Sequence, residues 1–205
     1  DLLLKPLELF KTYPNILDKY QRKYNYVLVD EYQDTNKPQF EFIYNISKNN
    51  NEITVVGDDD QSIYAWRGAD INNILNFSKS FPNSNIIKLE QNYRSTKTIL
   101  DAAYHVVSKN KNRADKKLWT DNEKGDPIYI NEFENENKEA RGVIDNVLES
   151  VDKNHTLNDM VLLYRTNSQS RVIEDRLRRE SVPYHIVGGV KFYDRKEIKD
   201  ILAYL

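Results

Sequence analysis

Two adjacent carboxylates, Asp30 and Glu31, close a run of apolar residues, Val27, Leu28 and Val29. Such a run reads as a strand buried on both faces. The acids then sit at its carboxyl end, where ligands gather in parallel α/β sheets. One carboxylate in that place can hold Mg²⁺ through water while its neighbour takes a proton from an attacking water, a division of labour suited to nucleotide hydrolysis. Acids at strand ends also serve as helix caps or solvated turns, so the pair by itself leaves both readings open.

A second apolar run, residues 53–57, leads into Asp58, Asp59, Asp60, Gln61, Ser62, Ile63, Tyr64, Ala65, Trp66, Arg67, Gly68 and Ala69. The Gln61 amide can sense a γ-phosphate, and Tyr64, Trp66 and Arg67 offer flat faces and a cation to unpaired bases and their phosphates. One short loop would then touch both ligands, so that hydrolysis at one end could shift the grip at the other. Trp and Tyr also fill cores, but the surrounding Asp and Arg residues favour a sheet edge here. Further on, Tyr93 stands beside Arg94, a pair able to stack on a purine and neutralise transferring phosphate; the plainer reading pairs Arg94 with Glu90 at the surface.

These side chains need a scaffold to hold them. Leu2, Leu3, Leu4, Leu7, Leu9 and Phe10, then Ile16, Leu17 and Tyr20, fit two short helices broken near Pro14 and covering the first sheet. A helix over residues 38–47 follows the first strand, with Phe40, Ile43, Tyr44 and Ile46 inward. Asp70 then caps a helix carrying Ile71, Ile74, Leu75 and Phe77, and residues 86–89 make a third strand. Ser95 is placed to cap a helix whose Ile99, Leu100, Ala103, Val106 and Val107 share one face. After a polar loop over 108–126, the pattern gives a strand over 127–133, an amphipathic helix through Ala140 to Val151 and a strand over 160–164. A charged helix from Ser168, a short strand over 184–187 and a last helix from near Arg195 complete it. Strands alternating with helices at these lengths imply right-handed βαβ units and parallel sheets, an α/β fold.

With 205 residues, 39% of them hydrophobic, the chain is long enough to bury one or two cores. Its 30 Lys and Arg nearly balance 32 Asp and Glu, so bulk charge gives no sign of nucleic-acid binding and any such contact must be local. Cysteine is absent, which excludes disulfides and thiolate metal sites, and His105, His155 and His185 are too scattered for a zinc cluster. No apolar run approaches the roughly 20 residues that span a bilayer, and the amino terminus lacks a signal pattern, so a cytoplasmic location is the default.

The blocks at residues 26–36, 53–69 and 89–95, in this order and spacing, closely resemble motifs II, III and IV of the UvrD, Rep and PcrA family of DNA helicases. Two later blocks, residues 164–171 and 187–200, are similar to that family's second motor domain, so the resemblance covers nearly the whole chain. It implies parts of two RecA-like domains of the P-loop NTPase type, with parallel sheets flanked by helices, joined near Gln91: residues 1–91 and 92–205. It further implies ATP and Mg²⁺ as cofactors, with Asp30 and Glu31 at the metal, Glu31 polarising the attacking water and Gln61 on the γ-phosphate. Tyr93 would stack on adenine and Arg94 would act as an arginine finger. Tyr64, Trp66, Arg67, Arg165, Asn167 and Lys191 would contact DNA, whereas Arg195 could simply pair with Glu197. The implied activity is translocation 3′ to 5′ on single-stranded DNA and unwinding at single-strand to duplex junctions, in replication or repair. The motor part of a helicase-nuclease subunit and a non-catalytic DNA-binding module are the alternatives. No Gly-x-x-x-x-Gly-Lys-Ser/Thr phosphate loop occurs in the sequence. Because the chain opens on Asp-Leu-Leu without an initiator methionine, it is expected to be an excised piece of a larger enzyme, and for want of the phosphate loop this piece, expected to be monomeric, should be inactive alone.

Overall fold

Pro14 divides the N-terminal apolar pattern into two helices, Leu4–Thr12 (α1) and Pro14–Lys23 (α2). Proline suits the first helical turn, where its missing N–H would lack a partner anyway. The computed structural model describes residues 2–49, 52–187 and 196–204 of the chain. It separates into two compact units, residues 1–128 and 129–205.

In the first unit, strand Val27–Val29 (β1) pairs in parallel with Ile53–Val55 (β2), Val27 opposite Ile53 and Val29 opposite Val55. The connection is helix Lys37–Ser47 (α3), which starts sharply because Asn36 and Gln39 form a reciprocal capping box and Pro38 lies in the first turn. α1 and α2 pack against α3 through Phe10, whose ring lies 5.9 Å from Tyr20 and 5.7 Å from Phe42. Helix Asn72–Leu75 (α4) has Ile71 and not Asp70 at its N-cap position, although the Asp70 carboxylate accepts from the Asn72 N–H just before it, and Phe77–Ser80 (α5) follows directly. An aromatic core joins these parts: fully buried Tyr32 meets Phe77 edge-on at 5.7 Å, Phe77 stacks on Phe81 at 4.7 Å, and Phe81 meets Tyr44. Burial pushes the Tyr32 hydroxyl up to about 12.

Helix Lys97–Val107 (α6) buries Leu100. Ser95 does not cap it. Thr96 holds the N-cap position without a side-chain bond, and the Lys97 and Thr98 N–H groups donate to the Glu123 and Lys124 carbonyls instead. This close approach explains Gly125, at φ 74°, where a Cβ would lie 2.6 Å from Thr96.

In the second unit, helices Glu136–Asp152 (α7) and Asn167–Arg179 (α8) pack together over buried Ala140, Ile144, Ser170 and Glu174. A seven-residue helix, Lys196–Leu202 (α9), comes last.

The described residues are thus mostly helical, with one small parallel sheet of two strands. The strands expected over 86–89, 127–133, 160–164 and 184–187 are not formed. A strand persists only beside a hydrogen-bonded neighbour, and among the described residues these runs have none; the nearest bridge, Gln91–Trp119, lies just past the first of them. Their large apolar side chains accordingly stay in solvent, among them Ile87, Ile130, Leu163 and Val187. Nor is β1 buried on both faces: Val27 and Val29 are half-buried on one side, while Leu28, pointing the other way, is 67% exposed.

Candidate active site

Asp30 and Glu31 leave the carboxyl end of β1 together. Glu31 takes a left-handed backbone conformation, φ 50° and ψ 42°, and its N–H donates to Asp30 Oδ1 at 2.9 Å. The strained turn is pinned on its far side, where the Tyr32 N–H donates to the Val56 carbonyl. Gln33, almost fully buried, then spans the two strand ends. Its Nε2 donates to Glu31 Oε2 at 2.7 Å, and its Oε1 accepts from the Asp58 N–H at 3.0 Å. Gly57 makes room for it, since a Cβ there would lie 2.5 Å from Gln33 Oε1 and 3.2 Å from the Tyr32 nitrogen.

Asp58 passes the chain on, for its Oδ2 accepts from Gln61 Nε2 at 2.8 Å. Glu31 and Gln61, selected from separate blocks of sequence, are therefore joined through Gln33 and Asp58. Burial works against the ionised form of Asp58, yet hydrogen bonds from Lys116 and Gln61 and the Lys116 charge hold its carboxyl below the usual range.

Asp30, Glu31, Asp34 and Thr35 line an open cleft of about 270 Å³ whose apolar wall includes Phe42 and Ile43. Asp34 Oδ1 is buried there without a hydrogen-bond partner, and burial, then the Glu31 charge, raise the Asp34 carboxyl. Carboxylate oxygens are the ligands a hard divalent cation takes, and three carboxylates line this cleft, although among the described residues only Asp58, Asp59 and Asp60 bring three such oxygens within 4.8 Å of one another.

Below Gln61, a single 3₁₀ turn, Ala65–Arg67, is closed by Gly68 at φ 86°. It gathers Tyr64, Trp66 and Arg67 on the surface: the Arg67 guanidinium carbon lies 5.1 Å from the Tyr64 ring centroid and 4.6 Å from that of Trp66. Trp66 is 67% exposed, so it does not fill the core.

Tyr93 and Arg94 occupy a separate turn, in which Asn92 Oδ1 accepts from the Arg94 and Ser95 N–H groups. Tyr93 is exposed and donates its hydroxyl to Gln91; among the described residues no hydrogen bond or ion pair joins this turn to Glu31 or Gln61. In the second unit, Arg165 is exposed just before α8, and Asn167 is the first residue of that helix. Lys191 lies outside the described residues.

Sequence reasoning missed one group altogether. Asp58, Asp59 and Asp60 bring their carboxylate oxygens within 4.8 Å of one another, the close grouping that a cation demands. Here the cations are side chains: Lys116 Nζ bonds Asp58 and Asp59, and Arg113 bonds Asp60 through Nε at 3.0 Å and Nη2 at 2.9 Å. Three acids in succession signal a need for compensation, but nothing in the sequence says which distant residues supply it.

Residues 1–82 match the UvrD/REP helicase N-terminal domain, and residues 87–205 match the UvrD-like helicase C-terminal domain. The chain belongs to the UvrD/REP helicase family. Among its UvrD/REP relatives, the ATP-dependent DNA helicase PcrA of Bacillus subtilis is 52% identical over 207 aligned positions, that of Staphylococcus aureus 50% over 205, and that of Leuconostoc citreum 48% over 206. All of this chain is covered in each comparison, but it spans 28% of the length of these relatives. The two UvrD/REP matches part between residues 82 and 87, whereas the first compact unit runs on to residue 128. Residues 87–128 thus match the C-terminal domain by sequence and pack with the N-terminal one.

Proposed function

We propose that this chain is the central part of an ATP-dependent DNA helicase that moves 3′ to 5′ on single-stranded DNA and opens duplexes at junctions, in replication or repair. It would contain portions of two RecA-like motor domains, residues 1–91 and 92–205, and act in the cytoplasm. The observation that carries this reading is the hydrogen-bonded path from Glu31 through Gln33 and Asp58 to Gln61, three residues before the group of half-buried Tyr64 and exposed Trp66 and Arg67. One loop therefore carries both the group that would face a γ-phosphate and the group that would face DNA.

Bound ATP with Mg²⁺ would supply the phosphoanhydride to be cleaved. Asp30, whose Oδ1 is taken by the Glu31 N–H, has Oδ2 left for the cation, and the orphaned Asp34 oxygen adds negative potential to the same cleft. Glu31 has Oε2 engaged by Gln33, which leaves Oε1 to accept a proton from the attacking water. Gln61 orients that water or the γ-phosphate, Tyr93 stacks on adenine, and Arg94 stabilises charge developing on the phosphate. Tyr64, Trp66, Arg67, Arg165, Asn167 and Lys191 hold the strand. The UvrD/REP match and the names of the relatives support ATP and DNA as the ligands.

The test is made on the full-length protein. It should hydrolyse ATP in a manner stimulated by single-stranded DNA, and should displace a strand from a duplex with a 3′ tail but not from one with only a 5′ tail. Displacement restricted to 5′ tails, or DNA binding with no ATP turnover, would contradict the reading.

A further inference from the structure

Arg113 and Lys116 reach the loop after β2 from 53 to 58 residues further along the chain. Their contacts are extensive. Besides bonding Asp58 and Asp59, Lys116 Nζ lies 3.5 Å from Asp60 Oδ2; Asp59 Oδ2 also accepts from the Ala114 N–H at 2.7 Å. Arg113 grips both oxygens of Asp60, and its Nη2 donates to the Lys116 carbonyl at 3.1 Å, so the two cations brace each other. The guanidinium also lies 5.9 Å from the ring of Tyr104 on α6. The side chains of Arg113, Lys116, Asp59 and Asp60 all stand at 16% exposure or less, where charges are weakly screened and an uncompensated one is costly.

Without these cations, three adjacent carboxylates would repel one another, and Asp58 would be the member with most to lose. It alone links the cluster to the cleft. Its Oδ1 takes Lys116 and the Asp60 N–H, its Oδ2 takes Gln61, and its N–H holds Gln33, which in turn holds Glu31. We propose that Lys116 and Arg113 are positioning residues for hydrolysis: by neutralising Asp58, Asp59 and Asp60 they fix the loop that aims Gln61 and, through Gln33, Glu31. Both cations come from the part matched by the C-terminal family domain and all three acids from the part matched by the N-terminal one, so the geometry of the hydrolytic groups depends on this apposition. The inference rests on the reading of the chain as part of an ATP-driven motor.

The experiment compares Lys116→Met, Lys116→Arg and Asp58→Asn in the full-length protein, together with the Asp58→Asn/Lys116→Met pair, reading kcat and KM for ATP with single-stranded DNA present and the melting temperature. A small displacement of aligned groups costs rate more than binding, so Lys116→Met should lower kcat about 10- to 100-fold while KM moves less than about twofold. Lys116→Arg should recover most of the rate. Once Asp58→Asn is present, Lys116→Met should cost less than it does alone, because part of its effect passes through Asp58. Wild-type kcat in Lys116→Met, or losses that multiply independently in the pair, would overturn the proposal while leaving the motor reading intact. A wild-type protein without ATP turnover would overturn both. If Lys116→Met does not fold, Arg113→Lys decides the matter: it keeps the charge and loses the two-pronged grip, and should lower kcat at unchanged KM, whereas an unaltered kcat would overturn the proposal.

Discussion

A glutamate in the left-handed region costs roughly 1 to 2 kcal/mol relative to an ordinary conformation, and a fold keeps such a residue only where its neighbours over-determine it. At Glu31 the neighbours are identifiable: Asp30 Oδ1 takes its N–H, Gln33 takes its carboxylate, and the Val56 carbonyl fixes the next residue. Glu31→Gln leaves an oxygen for Gln33 to bond, so the full-length protein should keep its fold and its nucleotide affinity. Turnover should fall by at least about 10²-fold, the usual contribution of a positioned base; wild-type turnover would remove Glu31 from the mechanism. Trp66 makes a complementary case. Its ring is largely in solvent and braced by Arg67 and Tyr64, so Trp66→Ala opens no core cavity, and the melting temperature should change little. Affinity for single-stranded DNA should weaken by roughly 1 to 3 kcal/mol, the scale of one lost base stack. A large drop in melting temperature with normal affinity would contradict the assignment. Asp30, Glu31, Gln61 and Trp66 could be singled out in the sequence because two apolar runs mark where strands end and the resemblance to the helicase motifs gives the residues after them their expected roles. Arg113 and Lys116 were not, since nothing local separates them from the other 28 basic residues of the chain.

At the level of elements, the helices could be read within a few residues because their signals are local. Pro14 splits α1 from α2, Asn36 and Gln39 start α3, and α7 shows its apolar face at Ala140 and Ile144. Strands could not be read as surely, for an apolar run becomes a strand only when another run lies beside it, and among the described residues only β1 and β2 meet that condition. Between those two strands and the polypeptide at residues 113–116, the ionic cluster acts as a clasp. Its pH response follows from its shifts: hydrogen bonds from Arg113 hold the Asp60 carboxyl low, and Lys116 and Gln61 hold that of Asp58 low against the effect of burial. Groups depressed on folding stabilise the fold above the ordinary carboxylate range and lose that contribution as pH falls through their lowered values. The melting temperature of the chain should therefore exceed that of an Asp58→Asn/Asp60→Asn variant at neutral pH. The two curves should converge only below about pH 4, near the value at which free Asp titrates. No gap at neutral pH would show that the clasp adds nothing to stability.

For the molecule as a whole, the absence of a phosphate-loop motif from all 205 residues has a direct reading in activity. The β- and γ-phosphates lack the backbone cradle and lysine that such a loop supplies. The chain on its own should turn over ATP no faster than background, with or without single-stranded DNA, in a phosphate-release assay; robust turnover by the purified chain would show that another segment performs that task. The clasp also sets where this polypeptide can be divided. A cut between residues 82 and 87, at the family boundary, would leave three crowded carboxylates on one piece and their counterions on the other. A cut after residue 128 would keep acid and base together. The first compact unit is thus built with chain that the family boundary assigns to the second domain.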